Sequence, residues 1–297
     1  MDNLGDYLLV LESLTSPEKA KAKPWNLFFL GAIYAALGVF LSLWVFEEQA
    51  TIVMVLLTVM ASIPLMYNTV KAEEERDLVV EEEKKLLKEH YRVMMAFMFL
   101  FLGFVAAFSL TYLFLPSDTV DGLFSSQSKT ISDINSKSTE ESISGNAYSE
   151  GLLLRIFSNN VKVMLFCVFF SFFYGAGAIF ILTWNASVIS AAMGNFFRAN
   201  ISAYATQAGL VEVGGYFHIY ALSILRYFVH GLPEIFAYII GGLAGGLISF
   251  AVIKHDFSTK SFGRVLRDAF DLIIIAVAVL LVAGLIEVYV TPRLGSF

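Results

Sequence analysis

The feature that most constrains this chain is a run of apolar stretches, each about as long as a bilayer is thick. A transmembrane helix needs about 20 mostly apolar residues. Segments 26–46, 93–115, 161–183 and 272–290 qualify outright. Segment 50–67 is short and carries Pro64 near its end, which predicts a helix that kinks or stops there. Segment 232–253 is long enough and glycine-rich. Composition agrees: 57% of the residues are hydrophobic and 15% charged, against about 45–50% and about 25% in soluble domains. The expected fold class is all-α, a polytopic helical membrane protein.

The connections differ in chemistry. Glu47-Glu48-Gln49 is a tight turn, so the first two spans form a hairpin. Residues 68–92 are strongly charged, lack Gly and Pro, and pair Glu81 with Lys85 at i,i+4. They are expected to continue rigidly from the second span into the third. Residues 116–150 are serine-rich and acidic and read as a solvated loop. Ser158-Asn159-Asn160 then reads as a helix start before Val161. Three units follow: a cytoplasmic segment 1–25, a hairpin with its charged linker over 26–92, and a membrane domain over 93–297 with an outer loop at 116–160. Residues 1–25 are polar and lack a signal-peptide pattern.

Orientation follows from Lys and Arg in short loops. The 68–92 linker carries six and the 47–49 turn none, which places the N-terminus and linker in the cytoplasm. Six spans alone would put Lys254, Lys260, Arg264 and Arg267 outside. One more crossing within 184–231 repairs the parity and sends the C-terminus outside. Residues 213–230 are the best candidate for it, ending in a break at Gly231-Leu232-Pro233. A re-entrant or in-plane segment is expected at 186–208. The reading is thus six clear spans plus a broken or re-entrant region, giving seven crossings.

Polar residues within apolar sequence mark candidate sites, because an ionisable group at membrane depth is costly. Asn195, Arg198, Ser202 and Thr206 recur at steps of three and four and share one helix face. That face fits an interfacial helix with a snorkelling arginine, or a re-entrant element lining a polar cavity. Ser223, Arg226 and His230 share another face. Pro233 and Glu234 suit the first turn of a following helix, where a missing N–H and a carboxylate are both favoured. Glu234 there is either a structural cap paired with Arg226, Arg198 or His230, or part of a functional site. Glu287, near the end of the last span, is an interfacial carboxylate or the partner of a cation in the bundle.

Ala237, Gly241, Gly245 and Ser249 fall at i+4 spacing, with Gly242 and Gly246 beside them. This small-residue face lets two helices approach closely. Its partner is a surface of the same chain at Gly175 and Gly177, or a second copy. Cys167 reads as a packed apolar thiol and, as the single cysteine, excludes an internal disulfide framework and a Cys-based zinc site.

No P-loop, H-E-x-x-H or G-x-S-x-G motif occurs, and the four histidines show no ligand spacing. No enzyme activity, cofactor or metal is expected. The net charge of −6 leaves no basic excess, so no nucleic-acid partner is expected. The expected partners are the lipid bilayer and other membrane proteins or a second copy.

From residue 93 onward the sequence resembles the stage II sporulation protein M family. The resemblance rests on Ser158-Asn159-Asn160-Val161-Lys162-Val163, on Asn185, on His230-Gly231-Leu232-Pro233-Glu234 before a glycine-rich helix, and on Leu285-Ile286-Glu287 running into Thr291-Pro292. It implies a multi-pass protein of the cytoplasmic membrane of bacteria or archaea. In spore formers, the family acts with other membrane proteins in cell-wall remodelling at the engulfing septum. The chain departs from the pattern in its hairpin 26–67, its linker 68–92, and Ala186 where the family tends to have glycine. The expected function is a non-enzymatic membrane scaffold or assembly component. The alternative is a transporter or channel using charged residues at 185–235.

Overall fold

A computed structural model describes residues 20, 22–77, 83–139, 145–174, 177–208, 213–254 and 260–292. Among them are nine α-helices, one 3₁₀ turn and no strand. The order is α1 (Asn26–Val45), the turn Glu47–Gln49, α2 (Ala50–Asp77), α3 (Glu83–Phe114), α4 (Ser117–Leu123) and α5 (Ser125–Thr139). Then come α6 (Gly145–Tyr174), α7 (Ala178–Ala208), α8 (Val213–Lys254) and α9 (Lys260–Tyr289). Seven of these, α1, α2, α3, α6, α7, α8 and α9, are long and apolar enough to cross a membrane.

The seventh spanning helix is α7, not 213–230. The stretch 161–183, read as one span, runs across a chain reversal. At its corner a Cβ on Gly177 would overlap the carbonyl of Phe170, so only glycine permits the approach. The span before the corner is therefore Gly151–Phe173, and Ser158-Asn159-Asn160 lies inside α6 rather than at its start. The span after it is Ala178–Ile201, so the expected re-entrant segment 186–208 is the body and end of a spanning helix.

No break occurs at residues 231–233 either. α8 runs unbroken for 42 residues with Pro233 inside it, about 63 Å at 1.5 Å per residue. That is about twice the hydrocarbon thickness, so part of α8 stands outside it. Pro64 likewise sits within α2, which continues to Asp77. A proline costs a helix one hydrogen bond, and packed neighbours absorb that loss inside a bundle.

The linker is not one rigid rod. On a continuous helix Glu73 and His90 would lie about 25 Å apart, yet their side chains meet at 3.6 Å, both buried between α2 and α3. The pair Glu81–Lys85 involves a residue outside those described. The expected loop 116–150 is largely helical as well. Val120, Leu123 and Phe124 of α4 and the segment after it are buried. The buried amide of Gln127 on α5 donates to Ser187 Oγ on α7 at 3.1 Å, and its oxygen accepts from Thr51 Oγ1 on α2 at 2.9 Å. Serine-rich composition suggested solvent, but one glutamine and three apolar residues seat this region on the bundle.

Two helices form the centre. The apolar window of α8 is 83% buried and that of α3 is 72%, against 22–33% for α1, α6 and α9. The outer helices show the complementary pattern. Trp25, Phe29, Ile33, Leu37, Phe40 and Trp44 form one exposed stripe along α1. Its terminal tryptophans are separated by about 28 Å of helix, close to the hydrocarbon thickness, as an aromatic belt requires. Inside, hydroxyls such as Thr58 and Thr69 donate to carbonyls one turn back in their own helix, leaving little polar surface to hydrocarbon.

Candidate functional site

The small-residue face of α8 builds the site. A Cβ on Gly245 would overlap the carbonyl of Val168 on α6. One on Gly241 would come within 3.0 Å of Met164, and one on Gly242 within 2.5 Å of Ala178. Ala237, Gly246 and Ser249 are buried on the same helix. The partner of this face is thus α6, with the first residue of α7. Gly177 packs against its own corner, and Gly175 lies outside the described residues. The intrachain partner is therefore a different surface from the one expected.

Running parallel to α8 at this close range, α6 presents Asn160 one turn before Met164. Its amide donates to Glu234 Oε1, and its oxygen accepts from Tyr238 Oη at 3.0 Å. From the other side comes α9, antiparallel to α8. The Glu287 carboxyl neighbours that of Glu234, and one turn further His230 Nδ1 lies 3.1 Å from Thr291 Oγ1. The register is regular: four residues back along α8 match four forward along α9. The cluster thus joins three helices through Asn160, Tyr238, Glu234, Glu287, His230 and Thr291.

Only part of the expected polar cluster converges here. Glu234, Glu287 and His230 do, but Glu234 is held by an amide and a second carboxyl rather than by Arg198 or Arg226. Arg198 instead reaches from α7 to the end of α3. It donates to the carbonyls of Tyr112 at 2.6 Å and Leu115 at 2.8 Å and lies 5.1 Å from the Tyr112 ring centre. A cation on the last carbonyls complements a helix C-terminus. Asn195, exposed, accepts from Tyr112 Oη nearby. Arg226 stacks at 5.5 Å on Phe196, joining α8 to α7. Ser223 and Asn185 donate to carbonyls of their own helices. The side chains of Ser202 and Thr206 lie outside those described.

Asn160, Tyr238 and Thr291 were missed as site residues. For Asn160 the signal was present: an asparagine four residues before Met164, on the stripe that faces the glycines. Reading it as a helix start hid it. Tyr238 stands one turn after Glu234, but in a chain this aromatic nothing distinguished it. Among the described residues no set of three His, Cys, Asp or Glu is arranged to hold a metal ion.

The sequence model of the family described as Stage II sporulation protein M matches residues 93–292. The match runs from residue 93, within α3, through α9 and takes in every residue of the three-helix cluster, and it leaves α1, α2 and the start of α3 outside. No curated protein and no solved structure matches.

Proposed function

The chain belongs to the stage II sporulation protein M family, and from that premise we propose that this multi-pass membrane protein is a non-enzymatic scaffold or assembly component of the cytoplasmic membrane. One observation carries the reading: the polar side chains gathered in the three-helix cluster, and Arg198 on α7, are engaged from helix to helix. Asn160, Glu234, Tyr238 and Glu287 tie α6, α8 and α9 together, and Arg198 ties α7 to α3. Side chains used in this way fix a shape. The charged linker 68–92 is the proposed docking segment for other proteins, on its sequence.

The proposed orientation puts the N-terminus and charged linker in the cytoplasm and the C-terminus outside. Seven spans support it. Tyr67 in the second half of α2 touches Phe250 near the end of α8, with ring centres 5.3 Å apart. The linker and the Lys254–Arg267 stretch then share one side, as the positive-inside rule favours.

Co-purification from native membranes in mild detergent tests the scaffold reading. A stoichiometric membrane-protein partner is expected with the wild-type chain. It should be lost when Lys84, Lys85 and Lys88 are all changed to glutamate, while the chain still folds. A chain that purifies alone in every mild detergent contradicts it.

A second reading, a transporter or channel, is favoured by the carboxyl pair itself, since paired acids inside a membrane protein commonly mark proton or ion paths. Proteoliposomes loaded with a pH-sensitive dye decide this point. Proton flux lost on Glu234→Gln would establish the second reading over the first.

A further inference from the structure

We propose that a groove between the end of α8 and the start of α9 binds an anionic phospholipid. The groove is about 410 Å³ and is lined by Ile248 of α8 and Gly263, Leu266, Arg267, Phe270 and Ile273 of α9. Such a volume is within the ~300–1,000 Å³ of small-molecule sites. The α9 residues recur at steps of three and four, so they form one face of that helix.

Three features select the occupant. The walls are apolar, and Leu266 and Phe270 are 44% and 61% exposed on a spanning helix, which suits an acyl chain lying along them. Gly263 opens the groove: a Cβ built there meets nothing within 4 Å. Arg267 supplies the single charge of the lining. It precedes Leu272, where the apolar run begins, by about 7.5 Å of helix, which is interfacial depth. A guanidinium there can snorkel and grip a phosphate through two N–H donors.

Neighbouring charges favour an anionic lipid over a zwitterionic one. Arg264, exposed one turn before Arg267, adds a second cation. Of the carboxylates nearby, Asp268 is engaged within the protein, and exposed Asp271, at i+4 from Arg267, lies on the side of the apolar run, whereas Arg264 lies on the opposite side. A lipid without an ammonium of its own meets no repulsion from the two arginines. Basic pockets between spanning helices at a membrane face hold anionic headgroups on this principle.

Native mass spectrometry of the full chain in detergent micelles tests the assignment, with phosphatidylglycerol, phosphatidylcholine and inorganic phosphate as probes. The expected result is retained phosphatidylglycerol at about fivefold preference over phosphatidylcholine, the effect of one cation at an anionic headgroup. Arg267→Gln should erase the preference. Gly263→Leu should fill the groove and displace both lipids. Thermal unfolding checks that each variant is folded, and competition between the two lipids on the wild-type chain needs no variant at all. Equal retention of the two lipids by the wild type overturns the proposal. So does a folded variant that keeps wild-type phosphatidylglycerol, or free phosphate displacing the lipid at equal concentration.

Discussion

The seam between α1 and α3 and the seam between α6 and α8 use the same device with different results. In the first, Gly31 lies against the carbonyl of Leu100 and Gly103 against that of Phe28. In the second, Gly245 lies against the carbonyl of Val168. Both bring backbones together where lipid gives helices no hydrophobic reason to associate. The first seam shows that small residues and apolar packing suffice to dock the hairpin on the bundle. Beside the second stand two glutamates, an asparagine, a tyrosine and a histidine. Close packing did not require them, so they add something the hairpin seam lacks. We read that addition as the fixing of α9 and of a unique register.

Five substitutions break or sharpen this comparison, in falling order of effect. Gly103→Leu and Gly245→Leu should each abolish a monodisperse chromatographic peak, because backbone cannot yield to the new side chain as a flexible side chain would. If only one of them fails, the two seams are not equivalent. Arg198→Leu leaves the final carbonyls of α3 without their cation. It should lower stability by up to ~2 kcal/mol, read by thermal unfolding in a fixed detergent. Tyr238→Phe removes one donor to Asn160 and should cost about 1 kcal/mol in the same assay. Trp44→Leu changes a lipid-facing residue that is 74% exposed and should stay within ~0.5 kcal/mol.

The sequence made the membrane class, the number of crossings and most span positions legible, because apolar length is a direct consequence of bilayer thickness. It misplaced the fourth and fifth spans, because the reversal near Gly177 is made by a close backbone approach and by one serine hydroxyl, Ser171, that accepts from the N–H of Ala178 within an otherwise apolar run. It gave the glutamates and His230 as candidates through the cost of burying them. It paired them wrongly, because attraction between opposite charges suggested an arginine for Glu234. Which side chain faces which depends on helix register, and Asn160 reaches Glu234 only because Gly241 and Gly245 admit α6 so closely. The region 116–150 was misread because composition reports average polarity, whereas single residues such as Gln127 bond α5 to two neighbours.

The central claim is that Glu234 works as a hydrogen-bonding clasp between helices. Thermal unfolding of Glu234→Gln and Glu234→Leu in one detergent tests it most directly. Glutamine can still accept from Asn160 and donate to Glu287, so it should hold within ~0.5 kcal/mol of wild type. Leucine leaves both partners unsatisfied in a packed seam and should cost about 1–3 kcal/mol. A leucine variant as stable as wild type would contradict the clasp and leave the cluster to be explained by transport.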